Sequence, residues 1–147
     1  MSRSGTILLI EDNQDDVDLT LRAFEKHKIA NHIVVLRDGA EALDYLFARG
    51  AYTERGSEAS PEVVLLDLKL PKIDGLSVLR QIRADERTRR LPVVVLTSSN
   101  EESDIVSSYD LGANSFVRKP VDFSQFVDAA RQLGMYWLVL NQGPPER

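Results

Sequence analysis

Residues 63–67 read Val-Val-Leu-Leu-Asp, and two similar apolar blocks lie elsewhere in the chain. The blocks Ile7-Leu8-Leu9-Ile10 and Val93-Val94-Val95-Leu96 are also short and are flanked by polar or turn residues. Runs of this length are too short for helices and are typical of strands buried on both faces of a parallel sheet. Residues 33–36 and 115–118 have the β-branched and aromatic content of two further strands. The chain therefore predicts five strands.

Apolar residues at three- and four-residue spacing lie between these strands and predict amphipathic helices. The spacing is seen in Val17, Leu21 and Phe24, in Ala42, Leu43, Leu46 and Phe47, and in Leu76, Leu79 and Ile82. A fourth helix is predicted from about residue 101 to 111, ending at Gly112, and a fifth from about residue 122 to 137. Strand and helix then alternate five times, which predicts a doubly wound α/β fold with helices on both faces of a parallel sheet.

Length and composition limit the class of protein. The 147 residues predict one domain with a core over about residues 6–140, a mobile loop at 48–61, a frayed tail at 141–147 and no output domain. A net charge of −5 argues against nucleic-acid binding. The lack of cysteine excludes thiolate metal sites and suits the reducing cytoplasm. The longest apolar run, residues 135–140, is far too short to span a membrane.

Polar residues stand at the carboxyl ends of four predicted strands. Glu11 and Asp12 follow the first strand, Asp67 ends the third, Thr97 ends the fourth and Lys119 follows the fifth. In doubly wound sheets, ligands bind beyond these strand ends. Three carboxylates brought together raise one another's pKa unless a cation lies among them. Because the ligands would be oxygen atoms, we expect the cation to be Mg²⁺, with Mn²⁺ as a substitute.

The same set of side chains offers the groups that phosphoryl transfer requires. We expect Asp67 to act as a nucleophile that forms an acyl phosphate, while Thr97 and Lys119 hold phosphoryl oxygens. Taken singly, Asp12 is as well suited to capping a helix as to forming a site. Thr97 alone is more typical of an ordinary strand end, and Lys119 alone is more typical of a solvated surface lysine. The joint placement of the residues at one edge of the sheet favours a site.

These motifs, together with Leu70-Pro71-Lys72-Ile73-Asp74-Gly75 and Gly112-Ala113, resemble the receiver domains of two-component response regulators. The resemblance covers about residues 6–140, and the separations also agree, with 30 residues from Asp67 to Thr97 and 22 from Thr97 to Lys119. It implies a flavodoxin-like (βα)5 fold with a parallel sheet in the order 2-1-3-4-5.

The resemblance also implies roles for individual residues. Asp67 is the expected phosphoacceptor, and Glu11 and Asp12 are the expected acidic pair of a metal site. Mg²⁺ would be bound by Asp12, Asp67 and the backbone carbonyl of Lys69. Thr97 and Phe116 match the switch pair, in which the hydroxyl moves toward the phosphoryl group and the ring turns inward. The bond between Lys119 and Pro120 would be cis. No enzymatic activity is implied beyond the domain's own phosphorylation and dephosphorylation.

A closer resemblance is to the single-domain regulators paired with bacterial and cyanobacterial phytochromes. It rests on residues 11–16, on the long polar loop before the third strand, on residues 108–114 and on residues 136–138. It implies a histidine kinase partner, specifically a phytochrome kinase. The extra apolar residues Tyr136, Trp137 and Leu140 at the end of the fifth helix predict a homodimer surface.

Several functions are compatible with a receiver that has no effector domain. Phosphorylation could switch a surface for a protein partner or for the dimer, or the domain could act as a phosphate sink or relay intermediate. A receiver-like scaffold that works without phosphate is a further alternative. A metal-dependent phosphatase is disfavoured, because Lys69 stands where such hydrolases carry a second aspartate as general acid. A nucleotide-binding module is disfavoured because no glycine-rich phosphate loop is present.

Overall fold

A computed structural model describes residues 6–26, 32–55, 61–97, 107–119 and residue 124. Its sheet has five parallel strands in the order β2-β1-β3-β4-β5. The strands are β1 (Thr6–Ile10), β2 (His32–Leu36), β3 (Val63–Asp67), β4 (Val93–Thr97) and β5 (Ser115–Arg118). The predicted fold class and strand order are therefore confirmed.

Helices connect the strands. They are α1 (Gln14–Lys26), α2 (Gly39–Leu46) and α3 (Gly75–Ala84), with a 3-10 helix at Gly50–Arg55 between α2 and β3. Residues 107–110 are helical, and Gly112 has a φ of +99°, which fits the predicted end of a fourth helix. In the part of the chain that the structure describes, no helix is long and apolar enough to cross a membrane. The predicted fifth helix, the bond to Pro120 and the dimer residues Tyr136, Trp137 and Leu140 lie outside the described residues.

The sheet is covered on both faces, which explains why its strands are apolar without alternation. On one face Leu8, Ile10, Val64 and Leu66 pack against α2 and α3. On the other face Ile7, Leu9, Val63 and Leu65 pack against Val17 and Phe24 of α1. Each of these side chains is at most 2% exposed, so each stabilises the fold by roughly 1.5–3 kcal/mol through burial.

The segment after α2 differs from the expectation of a loop over residues 48–61. Residues Gly50–Arg55 form the 3-10 helix, which is kinked at Tyr52, whereas residues 56–60 lie outside the described part. The Tyr52 ring packs edge-on against Tyr45, with 5.1 Å between centroids. The Tyr52 hydroxyl donates a hydrogen bond of 2.7 Å to Glu41 of α2, which raises the pKa of the phenol to about 12. A single aromatic residue in a polar stretch produces no periodic pattern, so the 3-10 helix could not be predicted from the sequence.

The turn from β3 into α3 brings the start of α3 close beneath Asp67. The Gly75 N–H donates to the carbonyl of Leu68 at 2.9 Å, and a Cβ at Gly75 would lie only 2.3 Å from the carbonyl oxygen of Asp67. Any larger residue would push the helix away from the strand end. The Asp74 side chain caps α3 by accepting a hydrogen bond from the Ser77 N–H at 2.9 Å.

Arg83 of α3 joins three separate segments. Its guanidinium donates to the carbonyls of Gly112, Arg89 and Leu91 and to the Asn114 side chain, at 2.7 to 3.0 Å. Asn114 in turn accepts from the N–H of Val93 at the start of β4. The Arg83 guanidinium thus connects the segment just before β4 with the segment just before β5.

Replacing Arg83 by methionine is expected to destabilise the fold by about 2 kcal/mol, because several carbonyls lose their donor while the aliphatic packing remains. Urea denaturation followed by circular dichroism measures the change. Arg80→Met, at an exposed position of the same helix, is the matched control and should stay within about 0.5 kcal/mol of the parent. Equal stabilities for the two variants would contradict the role assigned to Arg83.

Candidate functional site

The ends of β1 and β3 bring three carboxylates together. Ile10 pairs with Leu66 across these neighbouring strands, so Glu11 and Asp67, which follow the pair, lie side by side. Carboxylate oxygens of Glu11, Asp12 and Asp67 lie within 4.8 Å of one another. Glu11 is 1% exposed and Asp67 4% exposed, whereas Asp12 lies at the surface. The acidic cluster that the sequence predicted is therefore present, with two members buried and one open to solvent.

Lys119 brings a positive charge to the buried pair. It follows β5, the edge strand, and its side chain is 8% exposed. The ammonium nitrogen Nζ lies 2.8 Å from Glu11 Oε1 and 3.5 Å from Asp67 Oδ2. Lys119 is thus not a solvated surface lysine but the counter-ion of the acidic cluster.

A further carboxylate, Asp16, was not predicted as part of the site. Lys119 Nζ lies 3.0 Å from Asp16 Oδ2, on the first turn of α1. Asn13 caps this turn, because its Oδ1 accepts from the Asp16 N–H at 3.0 Å. Acidic residues in a first helical turn usually complement the helix dipole, so the sequence offered no signal that separates Asp16 from its neighbour Asp15.

Burial governs the electrostatics of the cluster. It raises the pKa of Glu11 to about 7, with the Asp67 charge adding to the rise and the hydrogen bond from Lys119 opposing it. Burial likewise raises the pKa of Asp67, against the attraction of Lys119. Burial alone would lower the pKa of Lys119, but hydrogen bonds to Glu11 and Asp16 hold it above its ordinary value. The ammonium therefore stays charged and is shared among several carboxylates.

The donor chemistry of the cluster fits a hard divalent cation. Glu11, Asp12 and Asp67 supply three carboxylates whose oxygens lie within 4.8 Å of one another, and hard cations prefer such oxygen ligands. Burial raises the pKa of both Glu11 and Asp67, so a cation bound beside them would stabilise their charged forms. The exposed Asp12 leaves one side of the cluster accessible from solvent.

The remaining predicted site residues lie around this cluster. Thr97 ends β4, where its backbone pairs with Arg118 of β5, and its side chain lies outside the described part. Phe116 pairs with Val95 of β4 and packs, partly buried, on the face of the sheet that carries α2 and α3. The Lys69 N–H donates a long hydrogen bond of 3.4 Å to Asp67 Oδ1, which places the start of the β3–α3 turn next to that carboxylate.

Comparison with known proteins gives the family. Residues 7–131 match the family described as the response regulator receiver domain. Among solved structures, the bacteriophytochrome response regulator AtBRR is 54% identical, with a TM-score of 0.85 over 95% of this chain and 99% of the other.

Two further relatives show the range of the family. The "Probable methanogenesis regulatory protein FilR2" of Methanothrix harundinacea is 44% identical over 94% of this chain and 86% of its own length. Response regulator Rcp1 of Synechocystis sp. is 35% identical over 90% of this chain and 88% of its own. An Mn²⁺-bound form of Rcp1 superposes with a TM-score of 0.75 at 33% identity, over 96% of this chain and 99% of that one. The chain belongs to the response regulator receiver family, and phytochrome response regulators are among its close relatives.

Proposed function

We propose that this chain is a response regulator receiver in which Asp67 accepts a phosphoryl group from a histidine kinase in the presence of Mg²⁺. The observation that supports this most directly is the buried Asp67 carboxylate at a strand end, with the Lys119 ammonium 3.5 Å away and Glu11 and Asp12 beside it. A nucleophile, a fixed positive charge and a set of oxygen ligands are thereby present at one point.

In the proposed reaction, an Asp67 carboxylate oxygen attacks the phosphorus of a phosphohistidine. The new bond joins that oxygen to phosphorus, while the bond from phosphorus to the imidazole nitrogen breaks and the nitrogen keeps the electron pair. Lys119, held at the site by Glu11, attracts a phosphoryl oxygen as a point charge. Asp12, Asp67 and the Lys69 carbonyl, with Glu11 beside them, would hold the metal. The metal, when bound, neutralises phosphoryl charge.

The output is proposed to be a change of surface. The Thr97 hydroxyl would move toward the phosphoryl group and the Phe116 ring would turn further inward. Phe116 is only partly buried on its face of the sheet, which is consistent with a ring that has a more buried position available. Such a movement shifts the equilibrium between two surfaces of the domain.

The kinase is proposed to be a bacterial phytochrome kinase acting in the cytoplasm. The 54% identity to AtBRR supports this choice over other sensors, and the lack of cysteine suits a reducing compartment. We also propose a homodimer through the end of the fifth helix, because Tyr136, Trp137 and Leu140 add apolar residues there.

Incubation with phosphoramidate and Mg²⁺ is expected to add one phosphoryl group to the parent chain and none to Asp67→Asn, because the amide is not a nucleophile for this reaction. Intact-mass spectrometry detects the product, and a chelator should suppress it. Asp74→Asn, an exposed helix cap outside the cluster, is the matched control. A phosphorylated bacteriophytochrome kinase should replace the small donor, and transfer that persists in Asp67→Asn would refute the assignment.

Mg²⁺ alone is expected to raise the thermal midpoint by about 4 °C when its concentration is tenfold above the dissociation constant, since binding to the folded state adds roughly 1.4 kcal/mol. Differential scanning fluorimetry against NaCl of equal ionic strength measures the shift. Asp12→Asn should abolish it, and Asp18→Asn, an exposed carboxylate on α1, should retain it. A shift of equal size in both variants would place the metal elsewhere.

The intact chain is expected to sediment as a dimer, whereas truncation after Leu133 or the full-length variant Leu140→Glu should give monomers, because a charge or a gap replaces the apolar surface. Analytical ultracentrifugation distinguishes the two states. Leu19→Glu changes an exposed leucine on α1 and should remain dimeric. A monomeric parent chain would rule out the dimer.

A further inference from the structure

Lys119 closes a ring of hydrogen bonds that begins and ends at Glu11. Glu11 Oε2 accepts from the Asn13 N–H at 3.2 Å, and Asn13 Oδ1 accepts from the Asp16 N–H at 3.0 Å. Asp16 Oδ2 accepts from Lys119 Nζ at 3.0 Å, and Nζ lies 2.8 Å from Glu11 Oε1. The capped first turn of α1 therefore fixes the position of Asp16, and Asp16 accepts a hydrogen bond from Lys119.

The Lys119 ammonium has a carboxylate contact for each of its three N–H donors. A lysine has three N–H donors, and Nζ has carboxylate oxygens of Glu11, Asp16 and Asp67 within 3.5 Å. Glu11 and Asp16 are the two nearer oxygens, and Asp67 is the farthest. A phosphoryl group on Asp67 can take over the long Asp67 contact, but Lys119 can move closer to that group only if its contact with Glu11 or with Asp16 is given up.

The burial of Glu11 and of Asp16 determines which of their contacts with Lys119 costs less free energy to lose. The Glu11 side chain is 2% exposed, so without Lys119 it would be a charge that water cannot reach. The Asp16 side chain is 28% exposed, so water can replace the ammonium there. The contact with Asp16 is consequently the one that phosphorylation should break.

We propose that Asp16 is a positioning residue that holds the Lys119 ammonium back from Asp67 and releases it when a phosphoryl group arrives. This inference rests on the proposed function, because it concerns the same phosphoacceptor site. Asp16 thereby favours the unphosphorylated state and also keeps the lysine aligned beside Glu11. Its negative charge near an incoming anion acts in the same direction.

The test measures binding of beryllium fluoride, a stable mimic of a phosphoryl group, in saturating Mg²⁺ by ¹⁹F NMR titration. Asp16→Asn is expected to bind it roughly two- to fivefold more tightly than the parent chain, since a partly exposed ion pair that opposes binding is lost. Asp15→Asn, an exposed carboxylate in the same turn, removes the same charge and should change affinity by less than about twofold.

One additional variant separates a role in positioning from a role in folding. Asp16→Glu keeps the charge and the acceptor and should return affinity toward the parent value, while thermal midpoints confirm that each variant is folded. Equal affinities for Asp16→Asn and Asp15→Asn, or weaker binding by Asp16→Asn, would overturn the inference. A parent chain that fails to bind beryllium fluoride, or binding that survives in Asp67→Asn, would instead overturn the proposed function itself.

Discussion

The contact between the Lys119 ammonium and the buried carboxylates of Glu11 and Asp67 is the interaction on which the site depends. Burial removes hydration from both carboxylates and raises the pKa of each, and the Asp67 charge raises the pKa of Glu11 further. One ammonium at 2.8 and 3.5 Å offsets part of that cost. The arrangement is far from an optimum for stability, and clusters with such shifted pKa values are typical of functional sites.

The strand order makes this contact available. Glu11 follows β1, Asp67 ends β3 and Lys119 follows β5, with β4 between the last two. Because all five strands run parallel, their carboxyl ends share one edge, and a long side chain from β5 can reach across β4 to the others. Gly75 keeps α3 close beneath Asp67, so the proposed phosphoacceptor lies on rigid structure rather than on a free loop. The apolar core thus sets the backbone positions, and the charged side chains then meet at the shared edge of the sheet.

Much of this was predictable from sequence because the relevant patterns are local. Short apolar runs identify buried strands, and a polar residue directly after such a run lies at the functional edge of the sheet, as Asp67 does. Two features escaped this reasoning. Tyr52 anchors a 3-10 helix through single contacts with Tyr45 and Glu41, which leave no periodic pattern. Asp16 pairs with a lysine 103 residues away, and nothing in its own neighbourhood indicates that partner.

The first turn of α1 combines a local and a long-range role in the same residues. Asn13 caps the helix, a position where asparagine is common, and its N–H also donates to Glu11 while its side chain accepts from the Asp16 N–H. The start of α1, the acidic pair and Lys119 therefore share one network of hydrogen bonds. Because Lys119 contacts both Asp67 and Asp16, the first turn of α1 is connected to the site even though the side chain of Asp16 is partly open to water. The hydrogen bond that caps α1 at Asn13 therefore also fixes the backbone of Asp16, whose side chain contacts Lys119.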